Sequence, residues 1–140
     1  YNDNEKEICF AAKKLVSKPE NVVADFTGSI RDIAAVFKCC DLFVGNDSGP
    51  RHIAEAVGTA TFGIYSPSSS KWNWSTRGDP RHQAIDLQDA LHLDDLAFAE
   101  ILKEENKKNA ENFLRKISPE FVIQQLDKMI LDLGLYKGIK

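Results

Sequence analysis

Residues 41–65, DLFVGNDSGPRHIAEAVGTATFGIY, restrict the possible fold more than any other part of the sequence. They contain two short apolar runs without polar alternation, DLFV and ATFGIY, which are typical of strands covered on both faces. Between these runs, Pro50 suits the first position of a helix, with Asp47 or Ser48 at its cap, and Gly58 suits its end. The order strand, helix, strand predicts a parallel pair joined by a right-handed crossover.

The chain before this stretch continues the alternation of helices and strands. Apolar residues recur at helical spacing over residues 5–17, and residues 21–28, NVVADFTG, predict a short strand. Ser29 is followed three residues later by Asp32, a pattern that predicts a capping box at the start of the next helix. These elements favour a helix that leads into the strand DLFV.

The chain after this stretch is predicted to end in helices. QAIDL, residues 83–87, predicts one more strand, and residues 93–116 have an apolar start followed by a charged, solvated helix face. Ser118-Pro119-Glu120 is a helix start, and Gly134 marks the end of that last helix. The whole pattern predicts one three-layer α/β domain with a parallel sheet over residues 1–140.

Composition argues against several classes of protein. The net charge of −3 is opposite to the basic excess of most nucleic-acid-binding surfaces. No apolar run approaches the roughly 18 residues that a membrane-spanning helix needs. Cys9, Cys39 and Cys40 lack C-x-x-C spacing, so we expect buried, reduced thiols of a cytosolic protein rather than a disulfide framework or a metal site.

Two polar loops are predicted to meet at one edge of the sheet, because parallel strands end on the same side and ligands bind there. The first loop, GNDSG, leads into a helix N-terminus, where unpaired N–H groups attract anions. The second loop, SPSSS, contributes hydroxyl groups. The candidate residues for a phosphate or diphosphate ester are Ser48, Gly49, His52, Ser66, Ser68 and Ser69. Asp47 does not suit a phosphate, because a carboxylate repels it, and is expected to accept N–H groups at the helix cap or to bind a sugar hydroxyl. From the residues alone a purely structural role stays open, in which Asp47 and Ser48 cap the helix and His52 is an ordinary first-turn residue.

The longer run FVGNDSGPRHIAEAVGTATFGIYSPSS resembles the signature of glycosyltransferase family 9, the ADP-heptose:lipopolysaccharide heptosyltransferases. TGSIRDIAAVFKCCD and ISPEFVIQQLDKMI are similar to other parts of that family. The resemblance implies that residues 1–140 are the C-terminal, Rossmann-like, donor-binding half of a two-domain GT-B enzyme. The chain begins with Tyr1, and we expect it to be a piece of a longer polypeptide whose N-terminal half is absent from this sequence.

The resemblance also implies a function and a set of site residues. The expected reaction is inverting transfer of heptose from ADP-heptose to the inner core of bacterial lipopolysaccharide, without a metal or cofactor, in the cytoplasm or peripherally at the inner membrane. Because the general base of the family belongs to the missing domain, we expect no catalytic residue here and no turnover by this chain alone. The donor is expected to contact Asp47, Ser48, Gly49 and His52, with Glu5, Asn46, Ser66 and Ser68 as further candidates.

Departures from the family pattern leave some questions open. Arg51 stands where the family often has Met or Leu, Ser66 where it often has Gly, and Ser70 where it often has Pro, so the identity of the sugar is not fixed. Two roles stay open for a group of aromatic and basic residues, which either clamp a ligand or belong to a surface loop: Trp72, Trp74, Arg77 and Arg81. Residues 77–116 match the family least.

Two other functions compete with the transferase hypothesis. The first is a non-catalytic nucleotide- or anion-binding module, or a degenerate transferase half. The second is a hydrolase that uses Ser48, His52 and Asp47, although the G-x-S-x-G nucleophile motif is absent. A serine at a helix cap and a histidine four residues later need not face each other, so the hydrolase is the weaker alternative.

Overall fold

A computed structural model describes residues 3–24, 26–66, 71–105 and 111–135 of the chain. The chain divides into two compact units, Tyr1–Ile33 and Ala34–Lys140. The organisation of residues 1–140 as a single domain stays a prediction.

The first unit contains helix α1 (Asp3–Leu15), a 3₁₀ turn at Pro19–Asn21 and the start of helix α2 (Ile30–Lys38). The predicted capping box is confirmed, because the Ser29 amide donates to the Asp32 carboxylate at 2.8 Å and the Asp32 amide donates to Ser29 Oγ at 3.3 Å.

The strand predicted over residues 21–28 is wrong for the residues that the structure describes there. The backbone of Val22 is extended, with φ −112° and ψ 120°. A strand also needs a neighbouring strand to complete its hydrogen bonds, and the described sheet consists of three other strands. The apolar composition of this segment therefore indicated an extended backbone, but it did not indicate whether a neighbouring strand is present to pair with it.

The second unit contains the predicted parallel sheet, formed by β1 (Leu42–Asn46), β2 (Ala60–Ile64) and β3 (His82–Ile85) in that spatial order. All neighbouring pairs are parallel, and Asn46 at the end of β1 lies opposite Ile64 at the end of β2. Helix α3 (Gly49–Ala56) connects β1 to β2. Gly58 follows it with a φ of +86°, a left-handed conformation that glycine adopts at low cost. The mixed α/β fold with a parallel sheet is confirmed.

Among the residues that the structure describes after β2 there are five further helices, and two features of this region differ from the prediction. The predicted strand QAIDL ends at Ile85, because Asp86 instead caps the next helix and accepts the Asp89 amide at 3.2 Å. The helical region over residues 93–116 contains two helices, with residues 106–110 outside the described part. The five helices are α4 (Lys71–Trp74), α5 (Leu87–Leu91), α6 (Asp95–Glu105), α7 (Glu111–Leu114) and α8 (Pro119–Asp132).

The last predicted helix is confirmed as α8. Ser118 caps it, with its hydroxyl oxygen accepting the Phe121 amide at 3.1 Å, and Gly134 follows it with a φ of +63°. Met129 on this helix is completely buried in the apolar core.

The two faces of β2 differ in chemistry because successive side chains of a strand point to opposite sides of the sheet. On the apolar face, Ala60 and Phe62 pack into a core that also contains Ile85, Leu87, Phe113, Ile117 and Met129. On the opposite, polar face are Thr61, Gly63 and Tyr65, the residue after the strand, and this face packs against α3. Helices therefore cover both sides of the sheet.

The expectation of buried cysteines is wrong for Cys39 and Cys40, which are exposed, whereas Cys9 is half-buried. The exposed pair follows Lys38, the last residue of α2, in the turn that leads to β1. The apolar face of α2 therefore ends before these thiols.

Within the described residues, no helix combines the length and apolar character needed to cross a membrane.

Candidate functional site

A cavity of about 320 Å³ lies at the N-terminus of α3 and is lined by Asp47, Ser48, Gly49, His52 and Trp74. We call it the α3 cavity. The fold places it at the carboxyl end of β1, because the chain turns directly from that strand into the helix. The four residues predicted as the principal donor contacts therefore lie around one space, and α4 contributes a fifth.

Ser48 is the N-cap of α3, but it does not cap the helix in the usual way. Its backbone is extended, and its hydroxyl donates to the carbonyl oxygen of Asn46 at 3.2 Å. In the described part of this loop, the Ser48 side chain accepts no amide of the first helical turn. A helix N-terminus carries about half a positive charge, which favours an anion in the α3 cavity. Pro50 has no N–H and the Arg51 amide donates to the Ser48 carbonyl at 3.1 Å, so Gly49 supplies the first-turn amide at this cavity.

Asp47 lies between two basic side chains of α3. One oxygen, Oδ1, is 3.6 Å from Arg51 Nε and 3.6 Å from His52 Nε2, and only 12% of the side chain is exposed. The carboxylate would repel a phosphate if it stood alone. The Arg51 guanidinium offsets part of this charge, so the Asp47 carboxylate does not by itself exclude an anionic ligand.

Arg51, which sequence reasoning left without a role, is the central charged residue of this region. Its side chain is 1% exposed and stacks on the ring of Tyr65, with 5.3 Å between Cζ and the ring centroid. Tyr65 is also completely buried, and this burial raises the pKa of its phenol above the ordinary value. The Arg51 guanidinium acts in the opposite direction, and the Asp47 carboxylate raises the pKa further.

The polar contacts continue from Arg51 across β2. Glu55 Oε1 accepts from Arg51 Nη1 at 2.5 Å and from the Thr61 hydroxyl at 3.3 Å. Thr61 Oγ1 is in turn 3.1 Å from His82 Nδ1 on β3. Sequence reasoning missed this chain of contacts, although the spacing Asp47-Arg51-Glu55 is a usable signal. Side chains four residues apart lie on one helix face, and here their charges alternate.

Helix α4 brings Trp74 to the α3 cavity. The Trp74 ring lies edge-on to the His52 ring, with 6.2 Å between the ring centroids. The backbone carbonyl oxygen of Trp74 accepts a hydrogen bond from Arg51 Nη2 at 2.5 Å. At the other end of α4, the buried Lys71 ammonium donates to Asp89 at 2.6 Å and to Asp86 at 3.2 Å. Burial raises the pKa of Asp86, and bonding to Lys71 opposes that shift.

The remaining aromatic and basic residues of this region contact one another. Arg77 lies over the Trp72 ring, with 5.2 Å from Cζ to the centroid, and donates to the Trp72 carbonyl. Arg81 pairs with Asp79 at 2.8 Å, and this contact lowers the pKa of Asp79 to about 2. Of the four candidates for a ligand clamp, Trp74 is the one that lines the α3 cavity.

The further candidate contacts lie in different places. Asn46 lines a separate apolar cavity with residues of β2, α7 and α8. Ser66 follows the end of β2 at the same edge of the sheet as the GNDSG loop, and Ser68 and Ser69 lie outside the described residues. Glu5 is on α1, in the first unit.

Comparison with known protein families gives a match over residues 2–78 with glycosyltransferase family 9 (heptosyltransferase), which is more than half of the chain. The chain belongs to glycosyltransferase family 9. The family resemblance found in the sequence is thereby confirmed, and family membership identifies the protein as a glycosyltransferase. The matched range includes the whole lining of the α3 cavity. No curated protein and no solved structure matches the chain.

In this family 9 chain, Ser48 and His52 do not have the geometry of a nucleophile and its base. The Ser48 hydroxyl donates to Asn46, and the nitrogens of the His52 ring face Arg51, Glu55 and Asp47. This arrangement disfavours the hydrolase hypothesis. Over the described ranges, no three His, Cys, Asp or Glu side chains form a group that could hold a metal ion.

Proposed function

We propose that this chain is the donor-binding, C-terminal part of an inverting glycosyltransferase of the GT-B type. The proposed reaction is transfer of heptose from ADP-heptose to the inner core of lipopolysaccharide. The observation that supports it most directly is the α3 cavity, in which the first turn of a helix, a serine and a histidine surround one space within the range that matches family 9.

In this proposal the α3 cavity holds the diphosphate of the donor. Negative charge builds up on the nucleoside diphosphate as it leaves the anomeric carbon, and prearranged donors stabilise this charge without having to reorganise. The Gly49 amide and the His52 ring are the donors proposed for this role. The Ser48 hydroxyl joins them if it exchanges its bond to the Asn46 carbonyl for one to the phosphate. The reaction then needs no divalent cation at the leaving group.

Asp47 is better suited to the sugar than to the phosphates. A carboxylate accepts hydrogen bonds from hydroxyl groups, and the contacts of Asp47 with Arg51 and His52 hold its side chain at the wall of the cavity. Trp74, which also lines the cavity, offers an apolar ring. Glu5, Asn46, Ser66 and Ser68 remain further candidates for contact with the donor.

The remaining parts of the reaction lie outside this chain. The acceptor hydroxyl needs a general base, which we assign to an N-terminal domain that this sequence does not include. We therefore propose no catalytic residue among residues 1–140 and a cytoplasmic enzyme that meets its lipid-linked acceptor at the inner membrane surface.

Calorimetric titration with ADP, UDP, GDP and NAD tests the donor site. We expect ADP to bind best, and we expect His52→Ala to weaken ADP binding by about tenfold or more, because a hydrogen bond to a charged group contributes about 1.5–3 kcal/mol. Asp47→Ala should weaken binding of ADP-heptose more than binding of ADP, because Asp47 is assigned to the sugar. Glu100→Gln, an exposed change on α6, is the matched control and should bind ADP like the wild type.

Two results would contradict this proposal. Equal ADP affinity in the wild type and in His52→Ala would remove the diphosphate from the α3 cavity. Heptosyl transfer by the isolated 140-residue chain would show that the general base lies within this sequence.

A further inference from the structure

Arg51 is a buried cation whose contacts converge on the wall of the α3 cavity. Its guanidinium bonds Glu55 through Nη1 and the Trp74 carbonyl through Nη2, and its Nε lies 3.6 Å from Asp47. Taking charges out of water is costly, so a buried guanidinium with this many partners is held in one position. A fixed guanidinium can impose a conformation on a neighbouring polar group.

The neighbour that matters is His52. Arg51 Nη2 lies 3.3 Å from His52 Nδ1. A guanidinium only donates hydrogen bonds, so the imidazole nitrogen that faces it must be the acceptor. The proton of the neutral ring then resides on the other nitrogen, Nε2, which lies 3.6 Å from Asp47 Oδ1 at the cavity wall.

We infer that Arg51 is a positioning residue that fixes neutral His52 in the Nε2–H tautomer. His52 thereby presents a hydrogen-bond donor at the wall of the α3 cavity. The use of this donor for a diphosphate or a sugar hydroxyl rests on the proposed function, whereas the tautomer itself is a property of the ligand-free chain.

Other charged groups around His52 also influence which ring nitrogen carries the proton. Some favour Nδ1 and others Nε2, and the nearer groups have the larger effect. Glu55 Oε2 is 3.8 Å from Nδ1 and favours a proton on that nitrogen. Arg51 Nη2 is closer to Nδ1, and Glu55 is already engaged with Arg51 through Oε1. Asp47 favours a proton on Nε2, and the Trp74 ring that faces His52 from α4 carries no charge. Arg51 and Asp47 therefore favour the same tautomer.

Arg51 and His52 are adjacent in the sequence but have different roles in this arrangement. His52 is 42% exposed and can reach a ligand, whereas Arg51 is buried and acts through its neighbour. A methionine at this position would fill space but would leave both nitrogens of His52 without this constraint. Arg51 thus sets the tautomer of His52 through a hydrogen bond, which an apolar residue cannot donate.

Nitrogen-15 NMR of the labelled chain, without nucleotide and at an alkaline pH where neutral imidazole predominates, tests the inference. The chain has three histidines, and His52→Gln identifies the His52 signals by their loss. In the wild type we expect Nδ1 to have the shift of an unprotonated nitrogen and Nε2 that of a protonated one. Reversed or averaged shifts in the wild type would overturn the inference.

Variants then test whether Arg51 is the cause. In Arg51→Met the two shifts should move toward the average of a free imidazole. Because this change strands Glu55, Arg51→Met/Glu55→Gln serves where the single variant does not fold. Glu55→Gln alone keeps the guanidinium and should retain the wild-type shifts. A folded Arg51→Met or double variant with wild-type shifts would show that Arg51 does not set the tautomer.

Titration with ADP distinguishes failure of the tautomer inference from failure of the proposed donor site. If the competent tautomer falls to about half of the population, the Kd for ADP should rise about twofold. The expected shifts in a chain that does not bind ADP would support the inference and contradict the proposed donor site. ADP binding together with reversed shifts would overturn the inference alone.

Discussion

Both faces of β2 are buried, but one packs against apolar side chains and the other against polar and charged side chains. The apolar face, with Phe62 at its centre, packs against aliphatic and aromatic side chains from α7, α8 and the region of β3. The polar face, with Thr61, Gly63 and Tyr65, packs against a helix that carries Arg51 and Glu55. One strand therefore stabilises the fold through one face and supports the candidate site through the other.

This difference shows how the fold supports polar residues at the edge of the sheet where the α3 cavity lies. Buried charges cost free energy unless they are paired. The contacts of Glu55 with Thr61 and of Arg51 with Tyr65 also depend on the distance between α3 and the sheet. The apolar face sets that distance indirectly, because close packing leaves the sheet little freedom to move. Substitutions on the two faces should consequently have effects of different size and kind.

The largest expected effect comes from the apolar face. Phe62 is completely buried, and Phe62→Ala should lower the free energy of unfolding by about 4 kcal/mol, because it removes buried apolar surface and leaves a cavity. Chemical denaturation followed by circular dichroism measures this change. Trp72→Ala, at a position that is 59% exposed, is the matched aromatic control and should cost far less. Similar losses for both would mean that Phe62 is not at the centre of the core.

The second effect comes from the close approach of side chains on the polar face. A Cβ at Gly63 would lie 2.8 Å from a ring carbon of Tyr65 and 3.2 Å from Arg51 Cδ. Gly63→Ala should therefore lower the free energy of unfolding by about 2 kcal/mol, since overpacking forces neighbours to shift. It should also weaken ADP binding, because Arg51 moves.

The control for this prediction is Gly49→Ala, where an added Cβ meets no described atom within 4 Å. Its stability should equal or slightly exceed that of the wild type. An equally stable Gly63→Ala protein would show that Arg51 and Tyr65 do not share the space over this glycine.

The smallest effect appears only at alkaline pH. Burial raises the pKa of Tyr65, so above about pH 10 the phenol ionises in the unfolded chain before it does in the folded one. The contribution of Tyr65 to stability is fully present below that pH and is lost as the pH rises further. Tyr65→Phe should therefore lose less stability than the wild type between neutral and strongly alkaline pH, as measured by denaturation at a series of pH values. Parallel pH curves for the two proteins would contradict this prediction.

Several elements follow from local sequence rules. The two apolar runs form the strands β1 and β2, and the helix between them is bounded by Pro50 and Gly58. The expected burial on both faces is confirmed for β2, whereas β1 is only partly buried and Val44 is 45% exposed. The Ser29 and Ser118 caps were equally visible, because a cap depends on residues that are three positions apart. The sequence also revealed the family, through the run from residue 43 to residue 69 that lies inside the matched range.

Other features depended on partners that are distant in the chain. The segment at residues 22–28 has strand-like composition, but strand formation requires a neighbour that composition does not name. Arg51 looked like a simple departure from the family pattern. Its burial, its stacking on Tyr65 and its bond to the Trp74 carbonyl depend on β2 and α4 lying against α3.

The sequence by itself thus determined the strand–helix–strand unit, the family and the order of polar residues along the GNDSG loop, because these depend on local propensity and short spacing. Only the tertiary structure decided which side chains share the α3 cavity, which charges are buried behind it and which nitrogen of His52 faces a donor. Such contacts join residues that are far apart in the chain, as Arg51 and Trp74 are at 23 positions, and arise only when separate elements pack together.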